Sequence, residues 1–265
     1  METPAHGSVV RLQTALKKSK RTGSVRLPRA FALDDVNNPP SPPLAQLLRG
    51  GGEVRLKTLL TTLMMATSSP HETKVSSVML AELLGLPDPE DAGSRRVTAA
   101  FRSLAKMNLV SRERVPGYTP KTKVLNPDGS GEEWNDRFLP QPYISLPIDL
   151  WRRGWIIALS GRALALLVIL KEATSGRKGD REALPGEPKV QSAWMDGTRK
   201  AQYGLGKDFW ATATRELVGA GLLDVETEIV QSYGEPRRRN VYKLHVDRLS
   251  AYDPGTAPSC TYGGI

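Results

Sequence analysis

Four side chains in one stretch of this chain suit contact with a polyanion. Arg95, Thr98, Arg102 and Lys106 succeed one another at offsets of three, four and four, so a helix would align them on one face. Arginine can hold a guanine edge through two hydrogen bonds, and the threonine methyl can touch that of thymine. Ser94–Lys106 holds no acidic residue, whereas a merely solvated helix face usually alternates charges for internal pairing. Ser94 suits the N-cap at the start of this stretch and joins the candidate contacts. Farther on, Arg112, Arg114, Lys121 and Lys123 bracket a Pro116-Gly117 turn. Basic hairpins of this kind can grip phosphates or reach the minor groove, though charged edge strands also discourage aggregation. Lys207, together with Arg237, Arg238 and Arg239 after a second turn, completes the basic set.

Catalytic chemistry is thin by comparison. Tyr203–Asp208 faintly resembles a phosphate-binding loop, but Ala201 stands where the first glycine belongs and no Ser or Thr follows Lys207. His6, His71 and His245 are scattered, with no carboxylate or cysteine at metal-ligand spacing. Glu132-Glu133 and Glu226/Glu228 are acidic pairs with nothing nearby to suggest a pocket. Cys260 is the single cysteine, which excludes an internal disulfide and reads as an inert surface thiol. The expectation is therefore no catalytic residue, no metal, no cofactor and no legible small-molecule ligand.

Periodicity indicates the elements that must position the basic groups. Val54–Ala66 places Leu56, Leu59, Leu60, Leu63 and Met64 at helical spacing. Ser77–Leu84 suggests a short second helix capped by Ser77 and stopped at Gly85-Leu86-Pro87. The helix from Ser94 turns Val97, Phe101, Leu104 and Met107 into a core, and two basic strands follow around the Pro-Gly turn. Helix, short helix, turn, long helix and hairpin in this order resembles the winged helix-turn-helix DNA-binding superfamily. The resemblance spans residues 53–126 and rests on order and pattern. It implies a recognition helix for the major groove and a wing on the phosphates.

The pattern returns in the second half. Lys207–Leu223 aligns with Ser94–Val110 at a constant shift of 113, setting Arg215 against Arg102, Leu217 against Leu104 and Leu222 against Leu109. Strands over Val225–Val230 and Val241–Val246 flank a turn at Tyr233–Pro236, and Asp196–Leu205 supplies a short preceding helix with Thr198 as its cap. Tyr143–Trp155 leads to Ser160, which caps Gly161–Ala173, the most hydrophobic helix in the chain. Ser175–Gln191, charged and rich in Gly and Pro, reads as a loop. The expected fold class is α+β, mainly helical, with two tandem winged helix-turn-helix domains bearing β-hairpin wings. Their expected spans are 53–126 and 143–250, with a linker at 127–142 and a tail at 251–265. The second long helix differs from the first: Asp208 and Glu216 offset Lys207 and Arg215, and Phe209 and Trp210 crowd its start. It suits dimerisation or core packing better than base reading.

Residues 1–52 read as a flexible basic arm. Arg11, Lys17, Lys18, Lys20, Arg21, Arg26 and Arg29 face Glu2 alone in the first thirty residues, and Asn37–Pro43 and Gly50–Gly52 break regular structure. Such an arm would lie along phosphates, enter the minor groove, or simply remain solvated. A net charge of +9 over 265 residues favours an acidic partner. The longest apolar run, Ala163–Leu170, falls far short of the ~20 residues a membrane span needs, and the start of the chain lacks a signal core. A cytoplasmic, nucleoid-associated protein is expected, with double-stranded DNA as partner, a homodimer as one arrangement, and no membrane. The leading function is sequence-specific binding of double-stranded DNA, most simply as a transcriptional regulator. One broad class of plasmid initiators is similar in carrying two tandem winged-helix domains on a chain of this length, so a plasmid or phage replication initiator binding direct repeats is an alternative. A winged-helix protein-interaction module of a chromosome-organising complex is a third.

Overall fold

The chain passes twice through one series of six elements, each time after a short approach. A computed structural model describes residues 3–33, 41–136, 139, 141–175, 190–232 and 235–262, the side chains of residues 230–238 excepted. Residues 37–40 of the expected break, 137, 138 and 140 of the linker, 176–189 of the loop, the Tyr233-Gly234 turn and the side chains of Arg237 and Arg238 lie outside that description. Among the described residues, eleven α-helices and three small antiparallel sheets give an α+β chain.

The first approach consists of α1 (His6–Ser19), β1 (Val25–Leu27), a 3-10 turn at Arg29–Phe31 and α2 (Pro43–Leu48). It leads to α3 (Glu53–Met65), β2 (Glu72–Lys74), α4 (Ser77–Leu83), α5 (Ser94–Lys106), β3 (Val110–Glu113) and β4 (Lys121–Val124). The second approach is β5 (Ile144–Leu146), α6 (Asp149–Arg152) and α7 (Trp155–Ala158). After it come α8 (Gly161–Thr174), β6 (Val190–Trp194), α9 (Gly197–Ala201), α10 (Lys207–Gly219), β7 (Leu223–Ser232) and β8 (Glu235–His245), then α11 (Arg248–Ala251). In both units the last strand lies between the other two, giving the orders β2-β4-β3 and β6-β8-β7.

The long helices α5 and α10 each have 13 residues and start and end at positions 113 apart, 94 to 207 and 106 to 219. They stop in the same way. Asn108 (φ 55°) and Gly221 (φ 72°) turn left-handed, a conformation asparagine and glycine tolerate best. The next amide then reaches back, Leu109 to the Leu104 carbonyl at 3.0 Å and Leu222 to the Leu217 carbonyl at 2.9 Å. Leu109 and Leu222 are both fully buried, so each helix end is sealed by a hydrogen bond and an apolar contact.

The expectation of a flexible arm over 1–52 is overturned for the described part. Leu12, Ala15 and Leu16, at spacing i, i+3, i+4, bury one face of α1 against α3, α4 and α6. β1 pairs antiparallel with β5, with Arg26 opposite Ser145, so the N-terminal segment joins the approaches of both units. Two of its arginines hold groups of the protein itself. The Arg21 guanidinium donates to the Leu63 and Met64 carbonyls, each at 3.0 Å, closing the last turn of α3, and lies 3.6 Å from Asp136. Arg29 donates from Nε to Glu172 at 2.7 Å, a carboxylate on α8 with no exposed side-chain area.

Tryptophans in the second approach bind the units further. Trp151 is fully buried and donates to the Thr61 hydroxyl of α3 at 3.2 Å. Trp155 is equally buried and lies 3.2 Å from the Leu249 and Tyr252 carbonyls around α11. α8 follows, buried along almost its whole length. Ser160 caps it, accepting the Ala163 amide at 3.2 Å. Two other caps differ from expectation: Ser76 rather than Ser77 caps α4, and Asp196 rather than Thr198 caps α9. Among the described residues no helix is long and apolar enough to cross a membrane.

Candidate nucleic-acid interface

α5 is presented by a wide turn, not by a side-chain cap. Residues Pro89–Gly93 form a π-helical turn running directly into α5, and Asp88 (φ 46°) accepts the Ala92 amide at 3.2 Å. Gly93 is buried there; a Cβ would stand 2.9 Å from the Pro87 carbonyl oxygen and 3.2 Å from the Ala81 Cβ. Only glycine allows α5 to start this close to α4. Ser94 is consequently the first helical residue and no N-cap: its hydroxyl lies 2.9 Å from the Asp91 carbonyl and 3.1 Å from that of Glu90. Buried Val97, Ala100, Phe101 and Leu104 fix the rotation of α5, leaving Arg95, Arg102 and Lys106 exposed along one face.

These four sites are not equivalent. Arg102 and Lys106 have no partner among the described residues and are open to a ligand. Arg95 is 72% exposed but forms an ion pair with Asp91, one turn before it, so the acid missing from the helix itself is supplied by the turn. Thr98 donates its hydroxyl to Ser77 at 2.8 Å and is partly committed to joining α4 and α5.

Arg112 is engaged within the protein. Its guanidinium carbon lies 4.2 Å from the centroid of the Phe101 ring, and its nitrogens reach Ser77 Oγ at 3.4 Å and 3.5 Å. Burial, aided by Arg114, pushes its pKa down to about 10. Arg112 thus packs behind α5, against Phe101 and Ser77. Lys121 forms an ion pair with Glu72 across β4 and β2, and that partner raises its pKa. Lys123 is paired with Glu133, whose carboxyl it holds below the usual range. Both pairs are near the surface, where such pairs are weak. Arg114 remains exposed with no partner among the described residues.

In the second unit several cations lie against acids. Lys207 is exposed at the start of α10 beside exposed Asp208. Arg239 donates to Glu228 at 3.0 Å and 3.3 Å and lies 5.2 Å from the Trp194 ring centroid. Arg237 and Arg238 lie opposite Val230 and Ile229 in the β7–β8 register. Lys243 pairs with Glu226 at 2.6 Å and His245 with Asp224 at 2.6 Å, so acids and bases alternate across the outer face of this hairpin.

Two polar clusters escaped the sequence reading. On α8, Glu172 accepts from Arg29, from Arg199 at 2.9 Å and from the Tyr203 hydroxyl at 2.6 Å. Burial, then the neighbouring carboxylate, raises the Tyr203 pKa. Near the C-terminal tail, Asp224, His245 and Cys260 bring one ligand atom each within 4.8 Å of one another. Against the upward push of burial, the Thr261 amide and hydroxyl and His245 hold the Asp224 carboxyl down at about 2. Burial and then Asp224 raise the Cys260 thiol, and Arg248 lies 3.0 Å from its sulfur. These groups come from three separate elements, so no sequence spacing betrays them. No protein-family model and no curated protein matches the chain.

Proposed function

We propose that each six-element unit is a winged helix, and that the protein binds double-stranded DNA sequence-specifically, most simply as a transcriptional regulator. The carrying observation is the exposed pair Arg102 and Lys106 on α5, unpaired on a helix whose rotation and end are fixed by buried residues. Such a helix fits the major groove, with Arg102 placed for a guanine edge and Lys106 for phosphate. The repeated sheet order, with the last strand central in both units, supports the winged-helix reading. On this reading the protein is associated with the nucleoid.

Replication initiation at plasmid or phage repeats is the second reading. It is favoured by the β1–β5 pairing, which ties the two units of one chain together and suits adjacent sites read without a second copy. Selection from random duplex DNA, with affinity followed across salt concentration, tests both. Enrichment of one inverted repeat supports a regulator, and enrichment of direct repeats supports an initiator. No salt-sensitive binding would reject DNA as partner and turn attention to the protein-interaction reading.

A further inference from the structure

We infer that the tip of the β3–β4 hairpin is an apolar wedge that enters the minor groove of bound DNA and prises apart a base step. This rests on the DNA-binding reading above and adds a deformation of the duplex to it.

The tip is built for rigidity. The Tyr118 amide donates to the Val115 carbonyl at 3.1 Å, closing a four-residue turn. Pro116 fixes its own φ by its ring, and Gly117 sits at φ 79°, as a type II turn requires of its third residue. The first and fourth residues of such a turn stand side by side. Here they are Val115 and Tyr118, which are 48% and 76% exposed. A Cβ on Gly117 would find no atom within 4 Å beyond its chain neighbours, so among the described residues nothing packs against the turn there. Two apolar side chains are therefore held together at a projecting point, at the end of a hairpin whose first strand packs on α5.

The charge around the tip argues for nucleic acid as its partner. Arg114 precedes it, exposed and unpartnered among the described residues. Glu113, the nearby acid, lies opposite Lys121 in the strand register. Arg102 and Lys106 stand on α5, the helix against which the hairpin's first strand packs. Rigid apolar side chains flanked by cations are what minor-groove proteins insert between base pairs, unstacking a step and kinking the duplex. Insertion of Tyr118 beside Val115 would remove both from water, which the protein alone does not do.

The test uses the full chain and a short duplex carrying the sequence enriched from a random pool, or a mixed-sequence duplex if none is enriched. A donor and acceptor dye mark its ends, and 2-aminopurine replaces adenines in turn along the bound site. Wild-type protein is expected to shorten the end-to-end distance, corresponding to a bend of about 20° or more, and to brighten 2-aminopurine at one step. The Val115→Ser/Tyr118→Ser double variant touches no core residue. It should still shift the duplex in a gel while losing both signals, and Arg102→Ala should retain the bend in whatever complex it forms. A straight duplex with unchanged 2-aminopurine in the wild-type complex, or a bend unaltered by the double variant, overturns the wedge and leaves the DNA-binding reading standing. Absence of any complex at low salt overturns both.

Discussion

α5 and α10 are the same helix in outline and opposite in what they present. At the shift of 113, Arg95, Thr98, Ala99, Arg102 and Lys106 become Asp208, Ala211, Thr212, Arg215 and Gly219. Inside, the pair Val97 and Phe101 becomes Trp210 and Thr214, all buried, so one large side chain has moved by a turn. A cation covers the large ring in both cases: Arg112 lies 4.2 Å from Phe101, and Lys200 lies 5.2 Å from Trp210. Core volume and helix ends are thus kept while the outer face is rewritten. The hairpins diverge in the same direction. β3 and β4 have 4 residues each and end in the apolar tip, whereas β7 and β8 have 10 and 11 and carry a row of acid–base pairs. The first unit leaves Arg102, Lys106 and Arg114 without partners among the described residues, whereas on the second hairpin Arg239, Lys243 and His245 each meet an acid.

The largest effect expected concerns how each unit's first helix is fastened. Glu172→Ala leaves Arg29, Arg199 and Tyr203 without their shared carboxylate and should cost about 3–5 kcal/mol in denaturant unfolding. Arg21→Ala removes donors from carbonyls of α3 and the cation beside Asp136, leaves no fully buried carboxylate behind, and should cost less, about 1–3 kcal/mol. Equal losses would show the two units to be held alike. Leu12→Ala, on the N-terminal helix, should cost about 2–5 kcal/mol, where a solvated arm would give no change.

Smaller effects separate the faces. Arg102→Ala should cost about 1–3 kcal/mol of affinity for a preferred sequence and little for mixed sequence. Arg215→Ala should change preference by less than about 1 kcal/mol, and parity between the two would break the division between reading and supporting helices. Arg114→Ala should lower the slope of log affinity against log salt by about 1, while Arg239→Ala, whose charge Glu228 already meets, should leave it unchanged.

The smallest effect is in acid. Asp224, at about 2 in the folded chain, lies below the ordinary carboxylate value of about 3.9. Folding therefore favours its ionised form; the stabilisation is complete above the unfolded pKa and is lost as pH falls through about 2. The difference in melting temperature between wild type and Asp224→Asn should shrink over that interval. A constant difference would deny Asp224 this role.

Sequence made the helices and their repetition legible because burial leaves periodic marks: Leu104 and Leu217, Leu109 and Leu222 fall at one offset and are buried in both copies. It did not reveal the destination of a cation. Arg21, Arg29 and Arg112 look like Arg102 in composition, yet the first two fasten α3 and α8, and the third lies over Phe101. Nor did it reveal pairings between distant carboxylates and bases, such as Lys123 with Glu133 or His245 with Asp224. Caps were displaced by one or two positions, Ser76 for Ser77 and Asp196 for Thr198, since adjacent polar residues compete for one role.

The pairing of β1 with β5 also sets an order of events during synthesis. Val25 and Leu27, both buried, find Leu146 and Ile144 opposite them. A strand made before the first six-element unit thus waits, its backbone edge open, while all of that unit emerges. The first unit can gather its own helices in the meantime, but its approach is sealed only when the start of the second leaves the ribosome. A chain arrested between the two units would carry an unmatched strand, so the arrival of the second approach is registered at this two-stranded joint.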